Sequence, residues 1–229
     1  RFAEAEKLAV YITHKFPEHP FGWKVLGAVL KQISRISESF SAMQKSALLE
    51  PQDAEVYNNL GITLRGLGRL KEAEANCRQA IALMPALAEA HNNLGITLQE
   101  LGRLNEAEAS YNQVIALKPH YALAHNNLGN TLKELGQLDG AQASYNQAIA
   151  LKPDYANAHS NLGVTLQKLG RLDDAQASYT KSIALKPDYA IAHNNLSVTL
   201  KELGRLGEAE AICNQAIVLK PDYAEAHSN

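Results

Sequence analysis

The 229 residues carry 22 lysines and arginines against 24 aspartates and glutamates, a formal net charge of −2 at neutral pH. Acids and bases are interspersed, so the concentrated positive charge by which nucleic-acid and anionic-membrane binders hold their ligands is missing and neither partner is expected. No apolar run approaches the roughly 18 residues of a membrane span; apolar residues make up 46% of the chain and aromatics only 6%, which leaves alanine and leucine to carry the packing.

Seven of the eight prolines, Pro17, Pro51, Pro85, Pro119, Pro153, Pro187 and Pro221, stand 34 residues apart without insertion or deletion. Proline lacks a backbone donor and clashes with the preceding turn, so each one marks the end of a helix. A fixed period of this size is the signature of a solenoid, in which each unit contacts only its neighbours. Along the chain, residues 1–19 are expected to be the second helix of a truncated repeat, followed by a divergent unit at 20–53. Units at 54–87, 88–121, 122–155, 156–189 and 190–223 come next, and 224–229 starts a further truncated repeat. On this reading the chain is a fragment, and the lack of a leader says nothing about location.

The 54–87 unit shows the pattern within a repeat, with helices predicted over 54–67 and 71–84. Apolar residues recur there at three- and four-residue steps: Leu60, Leu64 and Leu67, then Ala73, Cys77, Ala80 and Ile81. Gly68 separates the two helices as a left-handed cap, repeated by Gly102, Gly136, Gly170 and Gly204, whereas the 20–53 unit has Ser34. Asp154, Asp188 and Asp222, directly after their prolines, are expected to cap the next helix through a side-chain oxygen. Lys118, Lys152, Lys186 and Lys220 sit before theirs, at the negative end of a helix dipole. Tyr121, Tyr155, Tyr189 and Tyr223 read as packing between repeats. Cys77 and Cys213 lie four repeats apart, too far for a disulfide, and read as small core residues suited to a reducing, cytoplasmic compartment.

These residues resemble the tetratricopeptide repeat (TPR). Trp23, Leu26 and Gly27 match its W-x2-L-G opening, and Leu60/Gly61, Leu94/Gly95, Leu128/Gly129 and Leu162/Gly163 repeat its large–small pair. Ala107 and Tyr111, Ala141 and Tyr145, and Ala175 and Tyr179 match the A-x3-F/Y element of the second helix. Ser197 departs from the pattern in place of a glycine. The resemblance implies an all-α fold: a right-handed TPR superhelix, an α–α solenoid of 34-residue helical hairpins whose first helices line a concave groove.

Histidine recurs at the fourth position of the repeat as His91, His125, His159, His193 and His227, where earlier units carry Trp23 and Tyr57. Metal–nitrogen bonds of about 2 Å cannot bridge rungs roughly 10 Å apart, so the histidines read as substitutes for packed aromatics and no metal is expected. The sequence has no phosphate loop, nucleophile elbow, catalytic carboxylate pair or H-E-x-x-H, and Glu72, Glu106 and Glu208 read as a solvated helix face. No catalytic residue and no cofactor is expected, and the chain does not read as an enzyme.

Paired asparagines on the first helix work against helix propensity. The sixth position is Asn59, Asn93, Asn127, Asn161, Asn195 and Asn229, and the fifth is Asn58, Asn92, Asn126 and Asn194 with Ser160 and Ser228. Asn130 adds an amide at the ninth position, and the twelfth holds Arg65, Gln99, Lys133, Gln167 and Lys201. Two readings stay open. The amides bond one another along the stack, or were merely copied as the repeats duplicated. Alternatively, each presents a donor and an acceptor side by side to the main chain of an extended polypeptide. A strand step of about 3.3 Å against a rung of roughly 10 Å would give one asparagine to every third ligand residue. On the second reading Asn59, Asn93, Asn127, Asn161, Asn195, Asn58, Asn92, Asn126, Asn194 and Asn130 bind peptide, and the partner is a protein or peptide in extended conformation.

Residues 124–163 are also similar to the TPR region of O-linked N-acetylglucosamine transferase and its SPINDLY-like relatives. That likeness implies that the sixth-position asparagines match a ladder binding peptide main chains. It also implies an alternative, a substrate-recognition arm of a glycosyltransferase whose catalytic domain lies outside this chain. The clamp of chaperone-tail adaptors is not matched, because Lys24 is followed by Ala28 where asparagine is required, and Glu89 and Asn93 replace the basic pair. A third reading is end-to-end homo-association through apolar faces of the terminal repeats.

Overall fold

The structure, a computed structural model, describes residues 2–229 and forms two compact units that divide between Pro119 and His120. The first unit contains α1 (Phe2–Lys15), α2 (Pro20–Gln32), α3 (Ile36–Leu49), α4 (Ala54–Gly66), α5 (Leu70–Leu83), α6 (Ala88–Glu100) and α7 (Leu104–Leu117). The second contains α8 (Ala122–Glu134), α9 (Leu138–Leu151), α10 (Ala156–Lys168), α11 (Leu172–Leu185), α12 (Ala190–Glu202), α13 (Leu206–Leu219) and α14 (Ala224–His227). No strand occurs among the described residues, and the fold is an all-α solenoid of helical hairpins. Within each unit, the two helices of a hairpin pack together and the second packs on the first helix of the next hairpin. Consecutive first helices also touch, α2 with α4 and α4 with α6 in one unit, α8 with α10 and α10 with α12 in the other.

Short-range chemistry sets the helix ends. Gly68, Gly102, Gly136, Gly170 and Gly204 take φ between 73° and 77°, and Ser34 is forced to φ 63° in the same place. The glycine reverses the chain so that the next N–H reaches back, as when Arg69 donates to the Leu64 carbonyl at 2.9 Å. At the other end of the hairpin, Asp53 Oδ1 accepts from the N–H groups of Glu55 and Val56 at 2.9 and 3.3 Å, capping α4. The cap expected from Asp154, Asp188 and Asp222 does not form. The capping positions of α10, α12 and α14 belong to Tyr155, Tyr189 and Tyr223, which make no side-chain cap bond. The aspartates fall one residue early, beyond reach of the orphan N–H groups of the first turn. The lysines before the prolines are held instead by these tyrosines, with Lys152, Lys186 and Lys220 Nζ lying 5.3, 4.9 and 5.1 Å from their ring centroids.

Each hairpin closes on a small–large contact. A Cβ built on Gly95, Gly129 or Gly163 would lie 2.7 Å from a ring carbon of Tyr111, Tyr145 or Tyr179, all wholly buried. Gly27 faces Met43 and Gly61 faces Cys77 in the same way. Successive second helices are clipped by arginines. Arg103 bonds Glu106 on its own helix at 2.6 Å and Glu74 on the preceding one at 2.7 Å. Arg205 repeats this with Glu208 and Gln176, and Arg35 with Glu38 and Glu6. Arg69 pairs with Glu72 and lies over the Phe40 ring at 4.7 Å. Glu72, Glu106 and Glu208 are therefore exposed but engaged, and each arginine holds its carboxyl below the usual range.

Candidate functional site

The first helices separate the two asparagines of each pair. One residue along a helix is a turn of about 100°, so chemically identical neighbours meet different surroundings. Asn58, Asn92, Asn126 and Asn194 are buried, whereas Asn59, Asn93, Asn127, Asn161 and Asn195 are half-buried. The two sets are bonded between hairpins. Asn93 Nδ2 donates to Asn58 Oδ1 at 2.8 Å in the first unit. In the second, Asn161 donates to Asn126 at 3.1 Å and Asn229 to Asn194 at 2.8 Å. The fifth-position amides thus act as acceptors for the following hairpin, which satisfies buried oxygens that would otherwise be costly. A bond along the stack and an accessible face are compatible, because the bond donated by Asn93 or Asn161 uses one of the two N–H groups of its amide.

Two rungs lack this bond. Below Asn59 stands Lys24, which turns away to Asp53 and Glu55 at 2.8 and 2.7 Å. Below Asn195 stands Ser160, and the Asn195 side chain makes no hydrogen bond among the described residues. A further residue accompanies each sixth-position asparagine and was hidden in the sequence by its ordinariness. Thr63 and Thr97 Oγ1 donate to the Asn59 and Asn93 carbonyls at 2.8 Å, and Thr131, Thr165 and Thr199 do the same in their helices. The period alone could have found them, since threonine appears at the tenth position in the same five units that carry the asparagine, while the 20–53 unit has Val29.

Two further polar residues of the first helices meet the hydroxyls of buried tyrosines. Tyr145 donates to Asn130 Oδ1 at 2.7 Å, and Tyr179 to Gln167 Oε1 at 3.3 Å. The core tyrosine therefore fixes a polar side chain on the candidate surface and leaves the Asn130 NH2 group facing away from its accepted bond. Desolvation pushes the Tyr145 and Tyr179 phenols well above their usual range, so both are donors at any working pH.

The histidines are placed by packing. Trp23 Nε1 donates to the Pro17 carbonyl at 2.8 Å, and Nε2 of His91, His159, His193 and His227 meets the carbonyls of Pro85, Pro153, Pro187 and Pro221 at 2.8–3.1 Å. A carbonyl only accepts, so Nε2 carries the proton in each. No group of histidine, cysteine and acidic side chains fit for a metal occurs among the described residues. Both cysteines are free. Cys77 is buried and its thiol is pushed up to about 11 by desolvation, while Cys213 is half-buried. No helix among the described residues is long and apolar enough to cross a membrane. Exposed apolar side chains are prominent on α1, at Phe2, Leu8 and Tyr11, just after it at Phe16, and on α13, at Leu206 and Val218.

Four family models described as TPR repeat or tetratricopeptide repeat match residues 52–120, 110–143, 129–170 and 160–224. No curated protein matches the sequence. Among solved structures, a chain of the APC/C hetero-tetramer Cut9–Hcn1 superposes with a TM-score of 0.84 at 19% identity, over 100% of this chain and 45% of that one. PilW, a widely conserved type IV pilus biogenesis factor, gives 0.84 at 21% identity, over 91% of this chain and 97% of PilW. YrrB, described as a TPR protein with an unusual peptide-binding site, gives 0.64 at 24% identity, over 82% of this chain and 96% of YrrB. At these identities the likeness is one of fold.

Proposed function

This chain is a tetratricopeptide-repeat protein, and we propose that it holds extended polypeptide segments through the sixth-position asparagines of its first helices. The carrying observation is the division of each asparagine pair, one amide buried as an acceptor and the next left half-exposed. A packing role alone needs only the buried bond. It does not account for Asn195, which keeps the amide where no amide acceptor lies below and whose side chain makes no hydrogen bond among the described residues. The peptide-binding description of YrrB supports the same class of ligand. Main-chain recognition gives affinity across many sequences, with other surface positions setting preference.

Asn59 and Asn195 also provide the cleanest test. Replacing Asn93 or Asn161 with alanine would strip a partner from a buried oxygen and unsettle the fold. Asn195→Ala should leave the melting temperature unchanged, Asn59→Ala should change it only by the loss of the 3.4 Å acceptor of Lys31 Nζ, and each should weaken binding to a degenerate extended-peptide pool about fivefold, near 1 kcal/mol. Unaltered affinity in both variants would sink the ladder. The likeness of residues 124–163 to the glycosyltransferase branch supports a second reading, in which the same surface presents substrate to a catalytic domain. A reading frame that stops within one helix of Asn229 would rule it out.

A further inference from the structure

The last turns of α4 and α10 each carry a contact to the next first helix at an offset of 35 residues, one more than the repeat itself. Arg65 Nε lies 3.6 Å from Glu100 Oε1, and Gln167 Nε2 donates to Glu202 Oε1 at 2.8 Å. In both, a twelfth-position donor is answered by an acid at the thirteenth position of the next hairpin. The same offset from Lys133 arrives at Lys168. α8 and α10 pack directly on each other, so two positive charges meet where the neighbouring rung has a donor and an acid. Lys133 is half-buried, and its side chain makes no ion pair or hydrogen bond among the described residues. Burial and the Lys168 charge lower its pKa, against a smaller opposing pull from Glu134.

Helix dipoles explain a cation in the last turn of α8 and of α10. They do not explain why the acid present at Glu100 and Glu202 is replaced by a second base. The location is informative as well. Lys31 Nζ donates to Asn59 Oδ1 at 3.4 Å and Lys201 Nζ to the Asn229 carbonyl at 3.2 Å, each 28 residues on. That offset from Lys133 reaches Asn161, so by register the lysine belongs beside a ladder rung.

We infer that Lys133 and Lys168 form a binding site for an anionic side chain, a carboxylate or a phosphoryl group, carried by an extended peptide lying along the Asn127–Asn161 rungs. The inference rests on the proposed peptide-binding reading and assigns it a ligand class. The anion supplies the counter-charge that Glu202 supplies to the next rung, and the desolvation of Lys133 is already met in the folded protein before the ligand arrives. Charge-assisted hydrogen bonds to two ammonium groups are stronger than neutral ones and discriminate an acid from its amide.

Three fluorescein-labelled degenerate nonapeptide pools, alike except for a central glutamate, phosphoserine or glutamine, test this with the full 229-residue chain in low salt. The glutamate or phosphoserine pool should bind about tenfold tighter than the glutamine pool, as expected for charge-assisted bonds. A gain confined to one pool identifies the source of the anion. Lys168→Glu restores the arrangement seen opposite Gln167, so it should fold at least as well. Both it and Lys133→Gln should abolish the preference and leave glutamine-pool affinity within about twofold. Equal binding of the three pools to the parent chain overturns the site but leaves the ladder standing, as does a preference that survives in both variants. No binding of any pool overturns both.

Discussion

The hairpin of α2 and α3 and the hairpin of α4 and α5 share a backbone plan and differ in nearly every polar detail. Both close on a glycine facing a second-helix side chain, Gly27 on Met43 and Gly61 on Cys77, and both are clipped by an arginine after the turn. Yet the first hairpin has Lys24, Val25 and Val29 where the second has Asn58, Asn59 and Thr63. Packing therefore starts one hairpin before the asparagine–threonine stripe does, so the backbone plan does not by itself require the stripe. The small–large contact is what both must keep, although the residues that make it vary. The 190–223 hairpin carries Ser197 in the glycine position and Cys213 in the tyrosine position.

The largest effect should come from separating that pair. Tyr145 is wholly buried on Gly129, so Tyr145→Cys leaves a cavity costing about 3 kcal/mol. Gly129→Ser alone drives a Cβ into the ring, at about 2 kcal/mol. Together they reproduce the Ser197–Cys213 arrangement, so the double variant should lose less than the sum by at least about 1 kcal/mol in a urea-midpoint cycle. Strict additivity would show that the two sides do not compensate.

The sequence was clearest about helix ends, because proline and glycine act on their own backbone and need no knowledge of neighbours. The 34-residue ruler therefore delivered the hairpins. It did not reveal which of Asn92 and Asn93 turns inward, since adjacent amides are chemically alike and only the stacked helix tells them apart. It misplaced the cap at Asp154 by one residue, where one residue decides whether an oxygen reaches the first turn. Lys133 opposite Lys168 was invisible for a related reason. The contact runs at an offset of 35, and aligning repeats at 34 puts the two lysines in different columns.

A smaller effect should sharpen the comparison at the inter-helix turn. Ser34 adopts the φ of 63° that Gly136 adopts at 77°, so the first hairpin carries a strain the others avoid. Gly136→Ala should cost about 1 kcal/mol and Ser34→Gly should gain roughly that amount, the penalty of a left-handed side-chain-bearing residue. Thermal midpoints moving in opposite directions are the expected signature. Nothing lies within 4 Å of a Cβ on Gly136, so backbone strain alone is measured there.

The smallest contrast concerns two aspartates that look equivalent beside their prolines. Asp53 accepts two N–H groups of α4 and also holds Lys24 at 2.8 Å, whereas Asp154 caps nothing. Asp53→Ala should therefore cost about 1 kcal/mol, and Asp154→Ala should stay within about 0.5 kcal/mol of the parent. Amide hydrogen exchange distinguishes this from a global loss, because the Glu55 and Val56 N–H groups should lose protection first. If Asp154→Ala proved equally costly, its carboxylate would be stabilising the turn by some route other than a cap. The difference between the two hairpin ends would then lie in the tyrosine that follows Asp154. That ring already holds Lys152, and it stands at the position where the earlier hairpin uses an acid.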